Sequence, residues 1–171
     1  MSDVLGPDER DFIARRDSFY LSSISETGWP YIQHRGGPAG FLHVLDDSHL
    51  AFGDVRGNRQ MLSTGNLVQN PRVALLLMDY ARRERLKILG LAKVFDAREC
   101  PDLAKLLSAP ASLPPPERLM TIEVISFDWN CPKYITPRYT AHEVEEHVKA
   151  LRGRIEELET ELRARSAGKQ H

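Results

Sequence analysis

Residues 33–67 read QHRGGPAGFLHVLDDSHLAFGDVRGNRQMLSTGNL, and the fold turns on how this stretch is parsed. An arginine and three glycines crowd one turn at 35–40. Two short apolar runs follow, FLHVL at 41–45 and HLAFG at 49–53, separated by Asp46, Asp47 and Ser48, which is the pattern of a β-hairpin. A second polar turn, GNRQ at 57–60, leads into STGNL at 63–67. The segment 58–69 holds good helix formers and stops before Asn70 and Pro71, which predicts a short helix or helical turn.

Working outward, DERDFIARR at 8–16 predicts a helix, with Pro7 suited to its start and acidic residues in its first turn. FYLSSIS at 19–25 and YIQH at 31–34 flank a turn and form a first hairpin. RVALLLMDY at 72–80 is an apolar run of strand length. RLKILGLAKVFD at 85–96 alternates in its middle, and Gly90 marks a bulge or a close backbone approach. CPDLAKLLSA at 100–109 predicts a helix opened by Pro101, ASLPPPE an extended loop, and RLMTIEVISFDWN at 118–130 a long last strand. Antiparallel hairpins without βαβ units argue for a mainly β barrel with peripheral helices.

The tail differs. From Thr140 to Arg165 there is no Pro and one Gly, Gly153. Val144, Val148, Leu151, Ile155, Leu158 and Leu162 form a heptad seam, with Glu, Arg and Lys filling the rest. So narrow an apolar stripe is marginal in water as a solitary helix. It is expected either to pack on the body or to pair with another copy. The expected division is a barrel domain over 1–139 and a heptad helix and tail over 140–171.

Composition narrows the function classes. The 171 residues are 42% hydrophobic and 27% charged, enough for one domain with a real core. A net charge of −1 argues against nucleic acid or an anionic membrane as the main partner. Two cysteines, Cys100 and Cys131, lack metal or redox spacing and point to a reducing, cytoplasmic setting. The polar N-terminus is unlike a signal peptide, and no apolar run approaches the ~20 residues that span a bilayer.

Three constellations carry candidate chemistry. In Arg35–Gly40 the glycines let backbone N–H groups turn toward an anion and Arg35 offers a guanidinium fork; the alternative is a hairpin turn with a surface arginine. At Asn58 and Arg59, followed by Ser63 and Asn66, a loop enters a helical turn whose first N–H groups lack internal partners, a ready anion site; the alternative is plain capping. In Trp129, Asn130, Cys131 and Lys133, the indole is a flat stacking wall and Lys133 a cation, although a core Trp before a proline turn fits equally. Neither a Walker loop nor a GxGxxG fingerprint is present. His142 and His147 mimic a zinc-protease motif, but five residues on a helix turn the rings apart by ~140°, so no metal site is expected. His34, His43 and His49 lack a matching ligand pattern, and no GxSxG elbow occurs.

At QHRGGPAGFLHVLDD, LAFGDVRGNRQMLSTGNL, NPRVALLLMDYARRERLKILGLAKV and FDWNCPKYITPR the chain resembles the pyridoxamine 5′-phosphate oxidase-like family of FMN-binding split barrels, over roughly residues 10–138. The resemblance implies a six-stranded antiparallel split β-barrel and an obligate homodimer with FMN in the clefts between subunits. It would place Arg35, Gly36 and Gly37 along the flavin and its phosphate tail. It would make Asn58, Arg59 and Ser63 phosphate ligands, with Asn66 supporting their turn, and bring Trp129 to Lys133 from the partner subunit. Two departures stand out. GNRQMLS lacks the lysine of the oxidase's serine-arginine-lysine run, and that enzyme's C-terminal arginine–histidine substrate pair is not recognisable. Pyridoxamine phosphate is therefore not the expected substrate. The implied activity is an FMN-dependent oxidoreduction of a small molecule, the flavin carrying the chemistry, with no catalytic residue assigned. The alternatives are a flavin carrier or redox sensor without turnover, and, more remotely, a deazaflavin or haem in the same cleft.

Overall fold

The computed structural model describes residues 2–55, 62–108, 114–129 and 132–167, the side chains at 162 and 164–167 excepted. The chain forms two compact units, residues 1–135 and 136–171. The first contains α1 (Pro7–Ala14), β1 (Ser18–Ile24), β2 (Pro30–Gly36), β3 (His43–Val44), β4 (His49–Asp54), α2 (Leu62–Gln69), β5 (Arg72–Asp79), β6 (Glu84–Asp96), a 3-10 turn (Ala97–Glu99), α3 (Pro101–Leu107) and β7 (Arg118–Trp129). The second is one long helix, α4 (Ala141–Ala167).

All seven strands form one antiparallel sheet in the order β2-β1-β5-β6-β7-β4-β3. Among the described residues no ladder joins the outermost strands, β2 and β3, and that opening is the split of the barrel. The local patterns named seven strand-like runs and the family resemblance six; the seventh is β3, only two residues long. Phe41 and Leu42, read as part of that strand, are instead buried ahead of it, with Phe41 stacked on Phe19 at 5.6 Å.

Strand periodicity explains the core. β1, β5 and the first part of β6 alternate buried with less buried positions, which puts Phe19, Leu21, Leu75, Leu77, Leu86 and Ile88 on the inner face. β4 breaks the alternation, with Leu50, Ala51 and Phe52 all buried, because α3 covers its outer face through Leu107, which clusters with Ala51 and Leu119. Pro7 opens α1, and Glu9 accepts the Gly6 N–H at 2.9 Å, closing its first turn. After α1, Arg16 straps the chain to the end of β5. It donates to Asp79 at 2.8 Å and to the Met78 carbonyl at 2.9 Å, and both charged groups are buried. Between β3 and β4, the Ser48 N–H donates to Asp46 at 2.8 Å and holds that carboxyl below the usual carboxylate range.

The bulge expected at Gly90 is present, with the β6–β7 register shifting between Leu89 and Gly90. A Cβ on Gly90 would lie 2.6 Å from Ile122 Cγ2 and 2.7 Å from the Glu123 carbonyl oxygen. Gly90→Ala is therefore expected to destabilise the barrel by about 1–3 kcal/mol, the usual cost of overpacking. Denaturant unfolding checks this: the midpoint falls, and an unchanged midpoint contradicts the close approach.

Candidate functional site

β2 presents Tyr31, Gln33 and Arg35 toward one face and Ile32 and His34 toward the other, as period-two alternation requires. On the inner face α2 docks by polar contacts. Ser63 donates to Gln33 Oε1 at 2.9 Å, and Asn66 Nδ2 donates to Ser23 Oγ on β1, also at 2.9 Å. Ser63 and Leu67 are buried, one turn apart on the helix face that meets the sheet. The start of α2 is thereby seated against the strand that carries Arg35.

Arg35 reaches across the split. Its Nη1 donates to Asp54 Oδ1 of β4 at 2.6 Å, with its guanidinium 5.7 Å from the Phe52 ring centre. Arg118, opening β7, donates to the other oxygen of Asp54 at 3.2 Å. Asp54 is buried, so one carboxylate holds two arginines from separate strands. Arg35 Nε is buried without a hydrogen-bond partner among the described residues. A buried donor left unpaired costs about 1–3 kcal/mol, so this N–H favours a polar partner supplied from outside the described side chains.

The glycine turn behaves differently from an open anion nest. Gly37 N–H donates to the Asp17 carbonyl at 2.8 Å, Gly40 N–H to that of Arg16 at 3.1 Å, and Phe41 N–H to that of Pro38 at 3.0 Å. Three donors of the turn are thus committed to the chain itself. Gly40 has φ +83°, and a Cβ on Gly37 would sit 2.7 Å from the Phe41 ring, which accounts for both glycines. Gly36 ends β2 opposite Ser18.

Trp129 lies at the far end of β7, where its Nε1 donates to Glu9 Oε1 at 2.7 Å and Phe12 meets it edge-on at 4.8 Å. The hollow there is lined by Asp8, Asp11, Phe12, Arg15, Glu84 and Trp129, an acidic surround. Lys133 is exposed. The structure thus seats Ser63 on Gln33 and Asn66 on Ser23, ties Arg35 to Asp54, and ties Trp129 to α1. Asn58, Arg59, Asn130 and Cys131 lie outside the described residues. Among the described residues no group of three or more His, Cys, Asp or Glu is placed to hold a metal ion.

Sequence patterns missed Gln33, Asp54 and Arg118. Gln33 carried a usable signal, because it shares a strand face with Arg35 two residues away. Asp54 carried a weaker one, as a carboxylate ending the apolar run of β4. Arg118 carried none, since its role depends on β4 pairing with β7.

A phosphoester fits this donor set. The first-turn N–H groups of an α-helix have no intrahelical partners, the Ser63 hydroxyl is given to Gln33 and fixes that turn, and Arg35 Nε has no partner among the described residues.

Solved structures share the fold. The tagged HupZ protein of Group A Streptococcus matches with a TM-score of 0.57 at 12% identity, covering 79% of this chain and 99% of its own. A candidate pyridoxamine 5′-phosphate oxidase from Lactobacillus delbrueckii gives 0.55 at 20% identity, over 73% and 93%. An F420 reductase gives 0.53 at 18% identity, over 72% and 98%. No curated protein matches the chain. The pyridoxamine 5′-phosphate oxidase family model matches residues 5–125, which spans the sheet up to most of β7, and the chain belongs to that family.

Proposed function

We propose that the protein is an FMN-binding oxidoreductase acting on a small substrate, and that it works as a pair of chains with a cofactor in each groove between them. The observation that carries this reading is the seating of α2 by the Ser63–Gln33 contact, which sets a helix start against the Arg35 strand. In this reading the first-turn N–H groups of α2, that of Ser63 among them, hold the phosphate, together with Asn58 and Arg59 from the segment ahead. Gln33 and Asn66 position that turn, and Arg35 borders the tail of the cofactor. Trp129, Asn130, Cys131 and Lys133 serve the groove of the partner. Bound FMN supplies the hydride and electron transfer. The chain's own residues bind, orient and exclude water, and none is assigned to proton transfer.

Pairing is supported by the outer face of the sheet. Ile32, Ser22, Ala74 and Leu89 form one row across β2, β1, β5 and β6, and Ile32 and Leu89 are 64% and 54% exposed. The apolar side chains of three of these four strands, with the small Ser22 between Ile32 and Ala74, suit burial against a second copy. The neighbouring Lys87 and Asp128 neutralise each other at 2.8 Å, so the row is not edged by an unpaired charge from these two residues.

The decisive experiment is to release the small molecule from protein purified from cells and determine its mass. FMN is expected. A deazaflavin, the cofactor class named by one structural relative, would replace it, and absence of any flavin would end the proposal. Arg59→Ala should weaken FMN binding by about ten-fold or more, since a charge-assisted phosphate contact is worth roughly 1.5–3 kcal/mol; equilibrium titration reads this, and unchanged affinity removes Arg59 from the site. Leu89→Asp should open the sheet-face contact and release the flavin, seen by sedimentation with absorbance detection at the flavin band. A protein that keeps its flavin excludes this face. Bleaching of the bound flavin by a reduced nicotinamide, with recovery in air, separates turnover from passive carriage.

A further inference from the structure

We propose that α4 pairs with α4 of a second copy of this chain as a parallel, two-stranded coiled coil. Val144, Val148, Leu151, Ile155 and Leu158 are between 36% and 64% exposed, so the apolar stripe of this helix lies open. Their spacing fixes the heptad. Val148 and Ile155 fall at a; Val144, Leu151 and Leu158 fall at d; the sequence continues with Leu162 at a. β-Branched residues at a with Leu at d are the combination that favours two parallel strands over higher orders.

Charge decides the direction. The e positions hold Glu145, Arg152 and Glu159, and the g positions His147, Arg154 and Glu161. In a parallel pair, g of one helix faces the e position five residues on in the other. Arg154 then meets Glu159 of the second copy, twice by symmetry. His147 faces Arg152 of the second copy, which is not repulsive with a neutral imidazole. In an antiparallel pair overlapping the same seam, e faces e and g faces g. Glu145 would then oppose Glu159, and Arg152 and Arg154 would each oppose their own counterparts. These contacts are like-signed, and the remaining contact, His147 with Glu161, is not an ion pair with a neutral imidazole. Arg154 now contacts Glu157 at 2.8 Å, an exposed pair within the helix whose weak hold leaves it free to exchange for Glu159 across the seam. Gly153 falls at f, the outermost position, and a Cβ there would meet nothing within 4 Å.

The test uses the full chain. Leu158→Cys, oxidised mildly, is expected to yield a covalent dimer bridged 158 to 158, identified by peptide mass and missing from the unsubstituted protein. Adding Arg154→Glu should lower the pairing constant by about ten-fold, because two attractive contacts become repulsive, and Glu159→Arg on top of it should restore the cross-link. These exposed substitutions leave the barrel core untouched, and the charge rescue separates pairing along α4 from pairing through the sheet face. A 148-to-158 bridge between Val148→Cys and Leu158→Cys chains shows the antiparallel form and overturns the proposal. So does absence of the 158-to-158 bridge, or a yield indifferent to Arg154→Glu.

Discussion

A single buried carboxylate organises the open side of this barrel. Asp54 ends β4, and its two oxygens take Arg35 from β2 and Arg118 from β7. Among the described residues β2 and β3 do not pair, so no ladder there fixes the separation of β2 from β4. The ion contact does that work with side chains instead. Removing charges from water is costly, and a buried pair of this kind contributes position more than net stability. What it positions is Arg35, whose Nε is a buried donor with no partner among the described residues.

That constraint shapes the division of labour at the proposed cofactor site. Arg35 is partly neutralised by Asp54, so it is poorly suited to act alone as a phosphate anchor. In the proposed site, anion binding is assigned to the start of α2, where helix geometry leaves N–H groups without intrahelical partners and Ser63 is held by Gln33. The glycine turn has spent three of its donors on Arg16, Asp17 and Pro38 carbonyls, which bind it to the α1–β1 connection. Its glycines serve close packing against Phe41 and a left-handed backbone at Gly40. The same connection carries Arg16, which straps α1 to β5. Helix, turn and strand therefore stiffen one another around the proposed site.

The two apolar surfaces left open have different physical character. On the sheet, Ile32 and Leu89 belong to a row built by strand register, so the surface is broad and suits a flat partner. On α4 the apolar side chains form a narrow stripe of heptad spacing, which suits another helix. Both readings place a second copy of the chain as the occupant, from independent observations. No helix among the described residues is long and apolar enough to cross a membrane, so neither surface is explained as a membrane-spanning helix.

The element list was written in local periodicity. A short strand-like run beside a turn announced β1, an apolar run of strand length β5 and alternation β6; Pro7 announced the start of α1, Gly90 the bulge, and the heptad spacing the long helix, because each depends only on neighbours in the chain. The glycine turn at 35–40 was legible for the same reason, and the turn read at 57–60 lies outside the described residues. Three things were not. Strand order pairs β1 with β5 and β4 with β7, and side chains of similar apolar character at many positions leave such long-range partners undetermined. The Asp54 contacts follow from that order, so Arg118 could not be recognised before it. The fate of the turn's N–H groups depended on where the carbonyls of Arg16 and Asp17 came to rest. Sequence by itself determined which segments are strands and helices and which turns carry cations. Only the tertiary structure decided which of those charges and donors are already satisfied, since a hydrogen bond needs both partners in place and only folding brings them together.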